Sequence, residues 1–453
     1  MDFRGEIKAL VKLGAPMVVT QFFIMAMGFL DTAMAGHYSA RDLAGVALGG
    51  NVLWPVFMLM TGFTMAITPI VSQLRGANRE DSIGGVVRQG LWIALVSSVV
   101  TALVITEAEP IFRWAGVDAA AADVAIRYLE AAAWGMPAVM VYITLRYASE
   151  GLGHTLPPML IVTVALVLNG FLNYVLIYGK FGLPELGGEG CGWATAIVMW
   201  FELILMLCVL RMAYFRRTGI TDRFEGPRAR DIGRILKVGI PIGLTAFLNM
   251  TVFAVVGFLI GSLGIVPLAA HSIAGNVNWA TFVIPMGLGS AASIRVGVFV
   301  GARNFEASRQ VAKVAVLMSL TYAVVVSIAL FASRHWLVTV YSNDGEVVSL
   351  AAALILFVVI YQIVDDSKET MAGALRGYKD TRAPLVYSLV GYWLIALPLG
   401  SALGYGWFGL DPLGVYGFWV GLGAGMSLVA GCLGYRLWST TRDEDRIVRL
   451  GAV

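Results

Sequence analysis

From Val238 to Ile294 the chain runs without a single Asp, Glu, Lys or Arg, and from Leu43 to Leu74 it does so again. Water-soluble domains do not carry such stretches. A bilayer demands them, because its ~30 Å hydrocarbon core takes about 20 mostly apolar residues of helix at a rise of 1.5 Å each. The runs are also too long and continuous for the short alternating strands of a membrane barrel. Of 453 residues, 58% are hydrophobic and 13% charged, against roughly 25% charged in a soluble domain. A soluble enzyme, a nucleic-acid binder and a disordered chain are excluded, and an all-α polytopic membrane protein is expected.

Apolar runs bounded by charge, Gly or Pro predict twelve spans. They fall near 12–35, 43–74, 89–109, 127–149, 157–179, 190–210, 238–262, 268–294, 312–333, 345–374, 383–405 and 413–435. Of the 32 basic residues, Arg41, Arg113, Arg127, Lys180 and Arg334 fall on one side of the membrane so drawn, and Lys368 lies inside a span. The other 26 lie on the opposite side or its flanks, eight of them (Arg211, Arg216, Arg217, Arg223, Arg228, Arg230, Arg234 and Lys237) around one connection. Because Lys and Arg are retained in the cytoplasm, both termini and that connection are expected there. The N-terminus shows no apolar core with a cleavage site, so no removable signal is expected. Three cysteines make no disulfide framework.

The connection also divides two similar halves. Leu10-Val11-Lys12-Leu13-Gly14-Ala15-Pro16 matches Ile235-Leu236-Lys237-Val238-Gly239-Ile240-Pro241, and Gly50-Asn51-Val52 matches Gly275-Asn276-Val277 at the same offset. Trp54 then pairs with Trp279 and Phe57 with Phe282; one residue further out of step, Gly151, Thr155 and Pro158 pair with Gly377, Thr381 and Pro384. A unit with an even number of helices repeats in parallel, about an axis along the membrane normal. The expected division is an N-lobe over 1–211 with helices 1–6, a linker over 212–234, and a C-lobe over 235–453 with helices 7–12 and a tail.

A charge inside a span costs at least ~2.5–3.5 kcal/mol on insertion scales, which makes each one a functional candidate. Asp31 ends an uncharged run in the first helix; it reads as a cation or proton site, or as an interfacial carboxylate. Asn169 and Asn173, four apart, share a helix face, and Thr195 follows a Gly-rich turn. With Asp31 they could supply oxygen ligands to a hard cation, or merely join packed helices. In the tenth helix Asp365, Lys368 and Glu369 share one face while Asp366 points about 100° away; a relay and a self-neutralised ion pair are both open. Glu202 stands alone in its span, as a cavity carboxylate or as a partner of a neighbouring helix. Arg146, His271 and Arg295 read as structural or interfacial. No nucleotide-binding or hydrolase signature is present, and no enzyme is expected.

With Asp31 in GFLDTAMAGHYS, the paired half-repeat, LNGFLNY, GCGWATAIVMW and IYQIVD…LRGYKDTRAP in place, the sequence resembles the multidrug and toxic compound extrusion (MATE) family, its NorM-like bacterial branch in particular, from about residue 8 to 437. The resemblance implies two six-helix lobes in a V, alternating access, and export of organic cations and other small-molecule drugs in exchange for H+ or Na+. It implies an inner (plasma) membrane location among bacterial membrane lipids, no cofactor beyond the coupling ion, no nucleic-acid partner, and a monomer. Asp31, Asn169, Asn173 and Thr195 match an N-lobe cation site where Na+ is one candidate occupant, and Tyr361 and Asp365 match a C-lobe site. Where those relatives carry a glutamate in the seventh helix this chain has Asn249, which can still coordinate Na+ through its carbonyl but cannot take up a proton, so coupling is expected to rest mainly on Asp31, with Asp365 assisting. Lys368, Glu369 and Glu202 lie outside the family pattern. Aromatic residues, 11% of the chain, suit planar cationic ligands. The competing readings are a lipid-linked-oligosaccharide flippase, which should line its cavity with basic residues, a membrane-embedded enzyme, and a channel.

Overall fold

The structure, a computed structural model, describes residues 3–409 and 411–451. The first half consists of α1 (Phe3–Tyr38), α2 (Ala40–Met65), α3 (Ile67–Gly76), α4 (Ile83–Thr106), the short α5 (Glu109–Trp114), α6 (Ala119–Ala133), α7 (Met136–Gly151), α8 (Leu156–Ile177) and α9 (Gly188–Val209). After the one-turn α10 (Ala213–Arg216) come α11 (Ala229–Gly261), α12 (Ile265–Gly301), α13 (Phe305–Thr339), α14 (Gly345–Gly377), α15 (Arg382–Ser388), α16 (Leu397–Tyr405), α17 (Val415–Thr440) and α18 (Glu444–Gly451). Among the described residues eleven helical stretches are long and apolar enough to cross a bilayer, and the bent pair α6–α7 makes twelve if it counts as one. The protein is an all-helical, multi-pass membrane protein.

That pair departs from the straight span expected over 127–149. The helix starts earlier, at Ala119, and turns by 55° between α6 and α7. Two local causes coincide. Pro137 in the first turn of α7 has no N–H to continue the ladder from α6. Gly135, at the bend, lies so close to Ala196 and Met199 of α9 that a Cβ there would collide with both. The eleventh span is irregular too: Leu389–Ala396, between α15 and α16, is π-helical, a widened turn that swings its side chains off the α-helical register.

The chain forms two compact units, one of residues 1–18 and 244–453 and the other of residues 19–243. The boundaries fall inside α1 and α11, two to three residues beyond Pro16 and Pro241, rather than in the connection at 212–234. In the second unit, Gly239 and Gly243 of α11 pack on Leu59 and Phe63 of α2 at a distance that no larger residue permits. In the first unit, Gly14 of α1 packs on Gly287 and Ala291 of α12, and Glu6 pairs with Arg295 at 2.6 Å. Arg295 is thereby structural.

The connection itself is docked. Its residues from 229 onward are already α11. Before them Arg88 of α4 reaches Glu225 at 2.9 Å, Gln89 donates to the Gly226 carbonyl at 3.1 Å and accepts from the Arg228 N–H at 2.7 Å, and the Trp92 indole donates to the Glu225 carbonyl at 3.0 Å.

Candidate functional site

In the unit of residues 19–243, Asp31 of α1 is 8% exposed and is ringed by the residues the sequence singled out. Asn169 and Asn173 of α8 direct their amide Nδ2 groups to its Oδ1 at 3.1 and 2.6 Å, and the Thr195 hydroxyl of α9 donates to its Oδ2 at 3.3 Å. The spacing of four in α8 stacks the two amides on one face, and Asn173 also donates to the Asn169 carbonyl at 3.2 Å. The Cys191 thiol donates to the Asp31 backbone carbonyl at 3.5 Å, locking α9 to α1 one turn from Thr195. Asp31 is therefore enclosed by protein rather than exposed at the end of its helix.

Magnitudes show why such a site is poised. Taking a carboxylate out of water costs several kcal/mol, and a hydrogen bond to a charged group returns about 1.5–3 kcal/mol. Three donors offset the penalty without overwhelming it. Among the described residues the side-chain partners of Asp31 are these neutral donors, with no ion pair. Asn173 Oδ1 is buried without a hydrogen-bond partner; only with the amides turned would it join Asp31, Thr195 and the Asn169 carbonyl in an all-oxygen set of the kind hard cations take. One carboxylate matches one unit of charge, a proton or Na+. Among the described residues no group of three acidic, His or Cys side chains is gathered that could hold a metal.

The other unit treats its acidic residue differently. Asp365 of α14 is 5% exposed and ion-paired at 2.6 Å with Lys368, itself 6% exposed. The same ammonium donates to the Tyr392 hydroxyl at 2.6 Å, and Tyr392 lies in the π-helical stretch. Tyr361 does not join them: its hydroxyl accepts from the Gly423 N–H of α17 at 2.9 Å and its ring stacks on Trp419. Asn249 Oδ1 has no hydrogen-bond partner, so no such bond ties it to Tyr361 or Asp365. Glu369 pairs with Arg376 at 3.1 Å. Of the two readings open for Asp365, Lys368 and Glu369, the contacts match an ion pair: Lys368 neutralises Asp365, and Glu369 pairs with Arg376 instead. Glu202 of α9 is buried, and the charged group acting on it is Arg146, which pairs with Glu150 at 3.3 Å.

Asp42, not singled out in the sequence, and Asp366, noted there only for its direction, are buried carboxylates as well. Asp42 accepts from the Gly188 N–H at 2.6 Å and bonds Ser39, the N-cap of α2. Ser39-Ala40-Arg41-Asp42 is a capping pattern legible in the chain, and its role is to tie α2 to the start of α9. Asp366, expected to point away from its neighbours' face, does so into the interior. It is fully buried, and the Gln362 Nε2 donates toward both of its oxygens, at 2.9 and 2.7 Å. Only packing against α12 and α13 could reveal that.

The comparisons with known proteins cover the whole chain. It is 40% identical over 452 residues to the multidrug resistance protein PmpM of Pseudomonas aeruginosa, spanning 99% of this chain and 94% of that one. It is 37% identical over 447 residues to the multidrug resistance protein MdtK of Proteus mirabilis, 98% of each. Its fold matches the crystal structure of the eukaryotic MATE transporter AtDTX14 with a TM-score of 0.88 at 20% identity, covering 99% of this chain and 98% of that one. A sequence profile described as MatE matches residues 16–175 and 241–401, both halves of the repeat. The chain belongs to the MatE family.

Proposed function

We propose that the protein is a secondary antiporter that exports hydrophobic and cationic small molecules in exchange for H+ or Na+, with Asp31 as the coupling carboxylate. The supporting observation is the Asp31 cluster: a buried carboxylate with neutral donors on both oxygens and no resident cation. The names of the multidrug resistance relatives support the cargo class. In the cycle, a cation enters from outside and seats on Asp31, held by Asn169, Asn173 and Thr195. Occupancy biases the transporter toward the state that releases drug outward. Exposure to the cytoplasm then discharges the ion, and drug binding favours that discharge. Drug and ion must prefer different states, since a ligand indifferent between them couples nothing.

The proton is the better-supported ion. The amide nitrogens of Asn169 and Asn173 face Asp31, so a proton needs only a carboxylate oxygen, whereas Na+ needs both amides to turn their carbonyls inward. In this proposal the termini are cytoplasmic, the membrane is the bacterial inner membrane, the working unit is a monomer, and the lobes are the two repeats joined near 212–234. Asp31→Asn should abolish ethidium efflux from cells while leaving membrane expression intact; wild-type efflux in that variant would remove Asp31 from the mechanism. Drug release from proteoliposomes under separately imposed gradients tests the ion: stimulation by Na+ alone at fixed pH would overturn the proton reading.

A further inference from the structure

The charges of α14 do not balance. Asp365 has Lys368 at 2.6 Å and Glu369 has Arg376 at 3.1 Å, which leaves Asp366, with no exposed surface, as the odd carboxylate. Among the described residues its oxygens accept only from the Gln362 amide, one turn back. Gln362 is itself oriented from outside the helix: the Thr281 hydroxyl of α12 donates to Gln362 Oε1 at 2.9 Å, which turns the amide hydrogens toward Asp366. Tyr322 of α13 in turn donates to the Thr281 carbonyl at 2.8 Å. Close packing fixes this chain of bonds, since a side chain on Gly373 of α14 would collide with the Gly289 carbonyl of α12.

The groups that act on Asp366 come from three helices. On its own helix these are Asp365 and Lys368. Thr281 is the neutral contribution of α12, and the Tyr322 phenol is that of α13. No charged group of α17 acts on it. Lys368 cannot serve both aspartates, because its ammonium is held between Asp365 and Tyr392. A buried carboxylate left with neutral donors alone sheds its charge rather than bear the cost of desolvation.

We propose that Asp366 is a proton-binding site, built by Gln362, Thr281 and Tyr322, and that Lys368 is a tethered counter-ion that removes Asp365 from exchange. The proposal extends the antiport reading, on which its transport meaning rests, by placing a proton carrier one residue along from Asp365. Infrared pH-difference spectra of the purified protein test it without any transport assay, so its failure and that of the antiport reading are separable. Asp366→Asn should lose one band of a buried protonated carboxyl, and Lys368→Met should gain one as Asp365 becomes protonated. Asp31→Asn should leave the Asp366 band in place. If Asp366→Asn is not recovered folded, Gln362→Leu should shift the same band by removing its amide donor. A carboxyl region unchanged in whichever of these two variants is recovered overturns the site, and no added band in Lys368→Met overturns the counter-ion.

Discussion

The two halves descend from one repeated pattern, yet their buried aspartates are handled in opposite ways. Asp31 has amide and hydroxyl donors and no cation; Asp365 has a lysine on its own helix. A carboxylate held by neutral donors can exchange its counter-charge with the medium. One held by a covalently attached ammonium cannot, because that counter-charge never leaves. The contrast teaches that duplication copied the scaffold and not the contacts of the two aspartates, and in the antiport proposal it sets Asp31 apart from Asp365.

The largest test of the contrast exchanges the two aspartates for asparagine. Asp31→Asn is expected to reduce ethidium efflux to the level of cells without the protein, while Asp365→Asn retains at least half; equal losses would erase the distinction. Next comes Lys368→Met, which strands Asp365. Breaking a buried pair by removing one partner costs about 3–5 kcal/mol, so thermal unfolding of the purified protein should begin markedly lower. Adding Asp365→Asn should restore most of the loss, and a single variant as stable as the parent would show that the pair is not a true neutralisation. Asn173→Ala sharpens the other side of the comparison. Loss of a hydrogen bond to a charged group costs about 1.5–3 kcal/mol, so the coupling-ion concentration for half-maximal efflux should change by about tenfold or more, with Thr195→Val milder because its bond is longer, at 3.3 Å.

The smallest effect concerns a carboxylate outside the spans. Arg88, with Arg223 and Arg228, holds the Glu225 carboxyl below the ordinary glutamate range. A group whose folded value is depressed contributes stability above its unfolded value and loses it as pH falls through the folded one. The docked connection should therefore resist proteolysis at neutral pH and become cleavable only in acid, below the ordinary glutamate range. Glu225→Gln should be cleaved at neutral pH; equal resistance would mean the latch relies on Gln89 and Trp92 alone.

Much of this protein was legible before any coordinates. Uncharged runs as long as Val238 to Ile294 can only be membrane helices, since nothing else satisfies their backbone inside a bilayer. The repeat announced itself through matched Gly and Pro positions, and the four-residue spacing of Asn169 and Asn173 put two amides on one face. The bend at Gly135 and Pro137 was written in residues too, but its angle was set by how closely α9 approaches. What periodicity could not supply was the identity of neighbours on other helices. That Asp31 meets α8 and α9, that Tyr361 turns to Gly423, and that Gln362, beside Asp366, takes a bond from Thr281 of α12 are all decided between helices. A helix fixes the direction of a side chain around its own axis, and only the packing of its neighbours determines whether that direction leads to lipid, to a partner, or to a buried charge left to find a proton.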